Sequence, residues 1–134
     1  MYKNFSIMQW NCRGLFRNID DVNSFLDDFC PVALCLQETH LNDTHKKMLC
    51  RHQVFRKDCI SSNPSGGVAV VLQSGVACAP VPLQTSLEAV AVRILLDRLI
   101  TLVSLYLPPN VPLHLHELQG LITQLPEPFL IKPK

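Results

Sequence analysis

Residues 5–38 read FSIMQWNCRGLFRNIDDVNSFLDDFCPVALCLQE, and their reading decides the fold. Residues 5–11 begin as a buried strand, with Ile7, Met8 and Trp10 close together, and turn polar at Asn11. Arg13 and Gly14 follow. Residues 19–29 carry Ile19, Val22, Phe25, Leu26 and Phe29 at helical spacing, with Asn18 placed as an N-cap. Asp20, Asp21, Asp27 and Asp28 fall mostly on the other face. They track the polar side of the period, so they read as a solvated face rather than a metal site. Pro31 ends the helix. Residues 32–38, VALCLQE, form a near-continuous apolar run, the pattern of a strand covered on both faces. It closes on Gln37 and Glu38. Strand, helix and strand in so short a span make a βαβ unit if the strands are parallel. Two core strands that each end on a polar group costly to bury mark a site.

Working outward, residues 43–58 carry Lys46, Lys47, Arg51, Arg56 and Lys57, and read as a solvated helix or loop face or as a phosphate-facing cluster. SSNPSGG, residues 61–67, is a turn by composition. VAVVLQ after it is a β-branched strand. Residues 76–86 contain two prolines and read as an edge or loop. Residues 87–107 form a hairpin, two apolar arms flanking Asp97-Arg98. Leu115, Leu118, Leu121, Ile122 and Leu125 give residues 113–125 an amphipathic helix, and PFLI opens one more strand. The expected fold class is α/β (α+β): two mixed sheets packed face to face, with helices outside.

A chain of 134 residues suits one domain, residues 1–134. Its 48% hydrophobic and 17% charged content excludes disorder by composition. A formal net charge of +1 gives no large basic field, though a nuclease needs only a local patch. No signal core opens the chain, and no apolar run approaches the ~20 residues of a membrane span. The chain is therefore expected to be nuclear or cytoplasmic, not secreted, and without a membrane partner. Six cysteines, none in a CxxC pair, read as reduced thiols, several of them buried. Cys50, His52, His40 and His45 can be drawn as a zinc site, but their spacing matches no strong zinc pattern.

The candidate chemistry sits on Asn11, Glu38 and Tyr106, all at carboxyl ends of expected strands, where layered α/β proteins commonly place ligands. A carboxylate at the mouth of a buried strand loses solvation, and a divalent cation offsets that. Asn11 could orient it, and Tyr106 could donate to a phosphate. Each also has a plainer reading: Glu38 as the start of a solvated loop, Asn11 as a turn residue, Tyr106 as packing beside Pro108.

The wording of four stretches, in order, goes further. WNCRGL (10–15), LCLQETHL (34–41), SGGVAVVL (65–72) and SLYLPP (104–109) resemble the endonuclease/exonuclease/phosphatase family. They look most like the apurinic-endonuclease-like domain of jockey-type non-LTR retrotransposons, over residues 5–131. The resemblance implies a four-layer α/β/β/α sandwich and Mg²⁺- or Mn²⁺-dependent cleavage of a DNA phosphodiester. It makes Glu38 the metal-ligating carboxylate, Asn11 its helper at metal and phosphate, and Tyr106 a phosphate contact. Arg13 would face the DNA backbone. A reverse transcriptase domain would accompany it in the parent element.

The sequence departs from the family after PFLI. There the family carries Gly-Asp-Phe-Asn and later a Ser-Asp-His-like ending; here Lys132, Pro133 and Lys134 follow. None of the five histidines stands in the family's terminal context. The reading is thus a C-terminally truncated endonuclease domain with weak or residual DNA interaction and no useful cutting rate. Truncation would leave apolar faces such as Val90, Val92, Leu102 and Leu105 without partners. The alternative is a non-catalytic nucleic-acid or protein binding module derived from that domain, with the basic cluster and Arg13 as its footprint.

Overall fold

The computed structural model describes residues 5–59 and 66–134. Strand β1 (Ile7–Asn11) leads through helix α1 (Ile19–Phe29) to strand β2 (Ala33–Gln37), and the two strands pair in parallel. The βαβ unit expected from residues 5–38 is therefore present. Helix α1 ends where Cys30 adopts a left-handed conformation and donates its N–H to Leu26 O at 2.9 Å, just before Pro31. Asn18 does occupy the N-cap position, but its side chain does not cap. Its amide turns back instead and donates to Cys12 O at 2.8 Å and Gly14 O at 3.1 Å, bracing the turn after β1. The four aspartates of α1 are exposed, as a solvated face requires.

Strand β4 (Val68–Gln73) runs antiparallel beside β2, and β3 (His52–Lys57) pairs antiparallel with β4. The order is β1-β2-β4-β3. The basic run at 43–58 thus ends in an edge strand rather than a helix or loop. Val54 and Phe55 pack against the apolar layers on the two faces of this sheet. Apolar residues on adjacent positions hide the two-residue period, and cationic neighbours suit an edge because they discourage pairing with another chain. The turn expected at 61–67 lies largely outside the described residues.

A second sheet has the order β5-β6-β7-β8. Its strands are β5 (Cys78–Val81), β6 (Glu88–Leu95), β7 (Leu99–Tyr106) and β8 (Phe129–Pro133). Pro80 lies in β5, an outer strand, where a missing N–H is tolerated. Strands β6 and β7 form the expected hairpin, with Leu96 joining Asp97 and Arg98 in the connection and donating to Arg98 O at 3.1 Å. Helix α2 (Leu115–Thr123) carries the chain over to β8, which pairs in parallel with β7.

Three apolar layers hold four structural ones together. Val22 and Leu26 of α1 pack on Leu34 and Leu36 of β2. The opposite face of the same sheet, with Ala33, Cys35, Val70 and Leu72, meets Val92, Ile94 and Leu102 of the second sheet. Leu121 and Leu125 close the outer face over Ala89, Ala91, Val103 and Leu105. The alternation of β2 explains why its run looked continuous: Leu34 and Leu36 serve the helix while Ala33 and Cys35 serve the other sheet. The architecture is α/β/β/α. Val92, Leu102 and Leu105 are buried and Val90 half-buried, so the expectation of unpartnered faces is corrected. The first sheet covers Val92 and Leu102, and α2 covers Leu105.

Candidate active site

Parallel pairing puts the exits of β1 and β2 side by side, with Asn11 opposite Gln37. The chain after β1 stays beside the chain after β2. Cys12 N–H donates to Gln37 O at 3.1 Å, Gly14 N–H to Glu38 O at 2.7 Å, and Leu15 N–H to Thr39 O at 2.8 Å. This zipper holds Asn11 and Glu38 together, and the Asn11 amide donates to Glu38 Oε2. Asn11 Oδ1 is buried without a hydrogen-bond partner. A buried, unpaired oxygen costs free energy unless something electropositive meets it.

Glu38 leaves β2 with φ +54°, and His40 repeats that angle. Left-handed backbone is costly for residues with a side chain and is held only where its surroundings insist on it. His40 Nε2 stands 3.8 Å from Glu38 Oε1. Tyr106 arrives from the second sheet at the end of β7. Burial raises its phenol pKa above the usual value near 10, and the charges of Glu38 and Glu88 push the same way. Glu88 lies opposite Tyr106 across the β6–β7 pair and accepts the Gly67 N–H at 2.6 Å. A cleft of about 180 Å³, partly lined by Ser86, Glu88, Tyr106 and Pro108, opens beside them.

Three of the four sequence-identified residues, Asn11, Glu38 and Tyr106, are thus brought to one end of the sandwich. Arg13 lies exposed on the turn two residues beyond Asn11, with φ +50°. It stands outside the hydrogen bonds that join Asn11 to Glu38. Glu88, His40 and the Gly66–Gly67 pair were missed. Glu88 reads as the first polar position of an alternating strand, and only the stacking of two sheets brings it here.

The oxygens of Asn11 and Glu38 are a fitting donor set for Mg²⁺ or Mn²⁺. Mg²⁺ takes oxygen ligands, often one or two carboxylates, and keeps several waters. Among the described residues no group of three His, Cys, Asp or Glu assembles, so neither the zinc arrangement nor an all-protein cage forms. No disulfide joins the six cysteines, all of which are described.

The endonuclease domain of TRAS1, a telomere-specific non-LTR retrotransposon, superposes with a TM-score of 0.73 over 97% of this chain and 58% of that one, at 17% identity. The chain shares the fold of that endonuclease domain. An AP endonuclease from Leishmania major shares it, with a TM-score of 0.62 at 19% identity over 86% of this chain and 43% of that one. An AP endonuclease from Archaeoglobus fulgidus does so at 0.57, 17% identity and 90% and 48% coverage. In sequence, the chain is 30% identical over 104 residues to the RNA-directed DNA polymerase from mobile element jockey of Drosophila melanogaster. That match takes in 75% of this chain and 11% of the relative. No family model matches the sequence. The chain spans about a tenth of the length of that relative.

Proposed function

We propose that these 134 residues supply the metal- and phosphate-facing half of a DNA phosphodiester endonuclease site. The observation that carries this is the half-buried Asn11 amide joined to the Glu38 carboxylate at the exits of two parallel strands. Glu38 and Asn11 Oδ1 would hold Mg²⁺ or Mn²⁺. A divalent ion bound there offsets charge on the phosphate and on the leaving oxygen. The Asn11 N–H fixes one carboxylate oxygen, which leaves the other and Asn11 Oδ1 to face the ion. Tyr106 carries its phenolic proton at neutral pH as tyrosines ordinarily do, and burial and two carboxylates raise its pKa further. It would donate to a phosphate oxygen, and Arg13, exposed on the turn after β1, would meet the DNA backbone.

The likeness to jockey supports a parent element that also carries a reverse transcriptase domain and acts on nucleic acid. Within residues 1–134, PFLI is followed by Lys132, Pro133 and Lys134 rather than by the expected Asp and Asn. One acid–base group commonly contributes about 10²–10⁴ in rate. The 134-residue chain tested alone is therefore expected to nick DNA near background.

Mn²⁺ titration followed by electron paramagnetic resonance tests the site, with nicking of supercoiled plasmid alongside. One bound Mn²⁺, lost in Glu38→Gln and weakened in Asn11→Ala, is expected. Unchanged Mn²⁺ binding in Glu38→Gln overturns the assignment, and nicking as fast as by an intact relative overturns the inactivity.

One observation favours a binding role as a second reading. A groove of about 720 Å³ follows the β3 edge, with Lys46, Lys47, His52 and Arg56 on its rim and no acidic residue in its lining. Salt-dependent duplex binding that survives Glu38→Gln but falls in Lys46→Ala/Lys47→Ala would support it.

A further inference from the structure

Glu38 owes its position to more than its strand. The turn at 38–40 contains two left-handed residues, Glu38 and His40, both at φ +54°. One side of this turn is held by the chain after β1, through Gly14 N–H and Leu15 N–H. The other side is held by the entry to β4. Thr39 N–H donates to Gly67 O at 3.3 Å, and His40 N–H donates to Gly66 O at 2.9 Å. Gly66 and Gly67 are themselves left-handed, at φ +68° and +88°. A Cβ on Gly66 would collide with Glu88 Oε1, and one on Gly67 with Thr39 Oγ1. The Glu88 carboxylate therefore rests directly on the glycine pair, and it accepts the Gly67 N–H at 2.6 Å. Charge-assisted bonds of this kind are among the stronger ones in proteins.

We infer that Glu88 is a positioning residue: it anchors the Gly66–Gly67 turn whose carbonyls set the Thr39–His40 backbone and so aim Glu38. The geometry crosses the sandwich. A carboxylate on the second sheet orients a carboxylate on the first, with a glycine pair between them. Glycine is favoured twice because both positions are left-handed, and a Cβ at either would also displace the Glu88 carboxylate or the Thr39 hydroxyl. What Glu88 supplies is an oxygen acceptor at a set distance, so Gln can replace it and Asp, one methylene shorter, cannot. The part of this inference that concerns a bound cation rests on the proposed role of Glu38; the backbone part does not.

The test uses the whole 134-residue chain in four forms: wild type, Glu88→Ala, Glu88→Asp and Glu88→Gln. Amide hydrogen exchange is read by NMR at Thr39, His40 and Gly67, and Mn²⁺ affinity is read separately. Glu88→Ala and Glu88→Asp are expected to speed exchange at these three amides roughly tenfold, the loss of one net hydrogen bond. Both are expected to weaken Mn²⁺ binding about tenfold, as loss of a residue that orients a ligand commonly does. Glu88→Gln restores both readings towards wild type, which a merely charged role would not produce. Wild-type exchange in Glu88→Asp, or failure of Glu88→Gln to restore it, overturns the inference. If Glu88→Ala does not fold, the Asp and Gln pair decides alone. Absence of Mn²⁺ binding in the wild type defeats the proposed function, while the exchange data still judge Glu88.

Discussion

Gln37 is the residue whose loss should expose how the two sheets are joined at the site. It is fully buried. Its Nε2 donates to Ser104 Oγ and to Lys132 O, each at 3.1 Å, and its Oε1 accepts from Gln9 at 3.4 Å. Ser104 Oγ donates in turn to Leu36 O at 2.9 Å. Gln37 is therefore bonded to β7, β8 and β1 while sitting in β2, one residue before Glu38. Gln37→Leu removes two donor bonds, each worth about 1 kcal/mol net, and leaves buried acceptors unpaired. The expected loss is about 2–3 kcal/mol, or roughly 8–12 °C in Tm for a chain of this size. Ser104→Ala is expected to cost about 1 kcal/mol. The double variant should lose about 1 kcal/mol less than the sum, because the shared bond is removed only once. Urea denaturation followed by far-ultraviolet circular dichroism measures all four species. A Gln37→Leu chain within about 0.5 kcal/mol of wild type, or strict additivity of the pair, would refute the reasoning.

Two further perturbations address the layers. Leu121 is the only residue of α2 with no exposed surface, and Leu121→Ala is expected to cost about 2–5 kcal/mol in the same urea assay. The thiols make stability fall in alkali. Burial pushes Cys35 up to about 12 and Cys12 up to about 11, against an ordinary value of 9.0. Between these values and 9.0 the folded chain holds protons that the unfolded chain has released, so stability is full below pH 9.0 and declines above it. Urea midpoints measured from pH 8 to about 11 should decline, and Cys35→Ala should flatten the decline. Midpoints that stay level in the wild type would contradict the burial argument.

The sandwich was legible because its core strands are written plainly. Residues 32–38 are apolar on both faces, and the α1 stripe has a clear helical period. Strand β3 was not legible: Val54 and Phe55 are neighbours that face opposite layers, and cations surround them. Asn11, Glu38 and Tyr106 stood out as polar residues ending apolar strands. The bracing was hidden. Glu88 lies 50 residues from Glu38 in the chain, and nothing local links them. Asn18 shows the same limit, since its cap position was readable and the backward turn of its side chain was not. Trp10 is adjacent to Asn11 in sequence but packs on Phe25 of α1 with ring centroids 5.3 Å apart, so its fluorescence reports the helix layer.

Each sheet is made from one unbroken span of chain: residues 7–73 build the first and residues 78–133 the second. On a ribosome, where chains emerge at about 5–20 residues per second, the first sheet and its helix are complete before the second is made. During that interval Ala33, Cys35, Val70 and Leu72 face water. Asn11 and Glu38 are already neighbours, but Glu88 and Tyr106 have not arrived. The order of synthesis therefore lets the complete cluster form only after β6 and β7 have emerged. A nascent chain stalled between its two halves has an uncovered apolar face and an unanchored Glu38, which makes it a client for chaperones before its two sheets can close on each other.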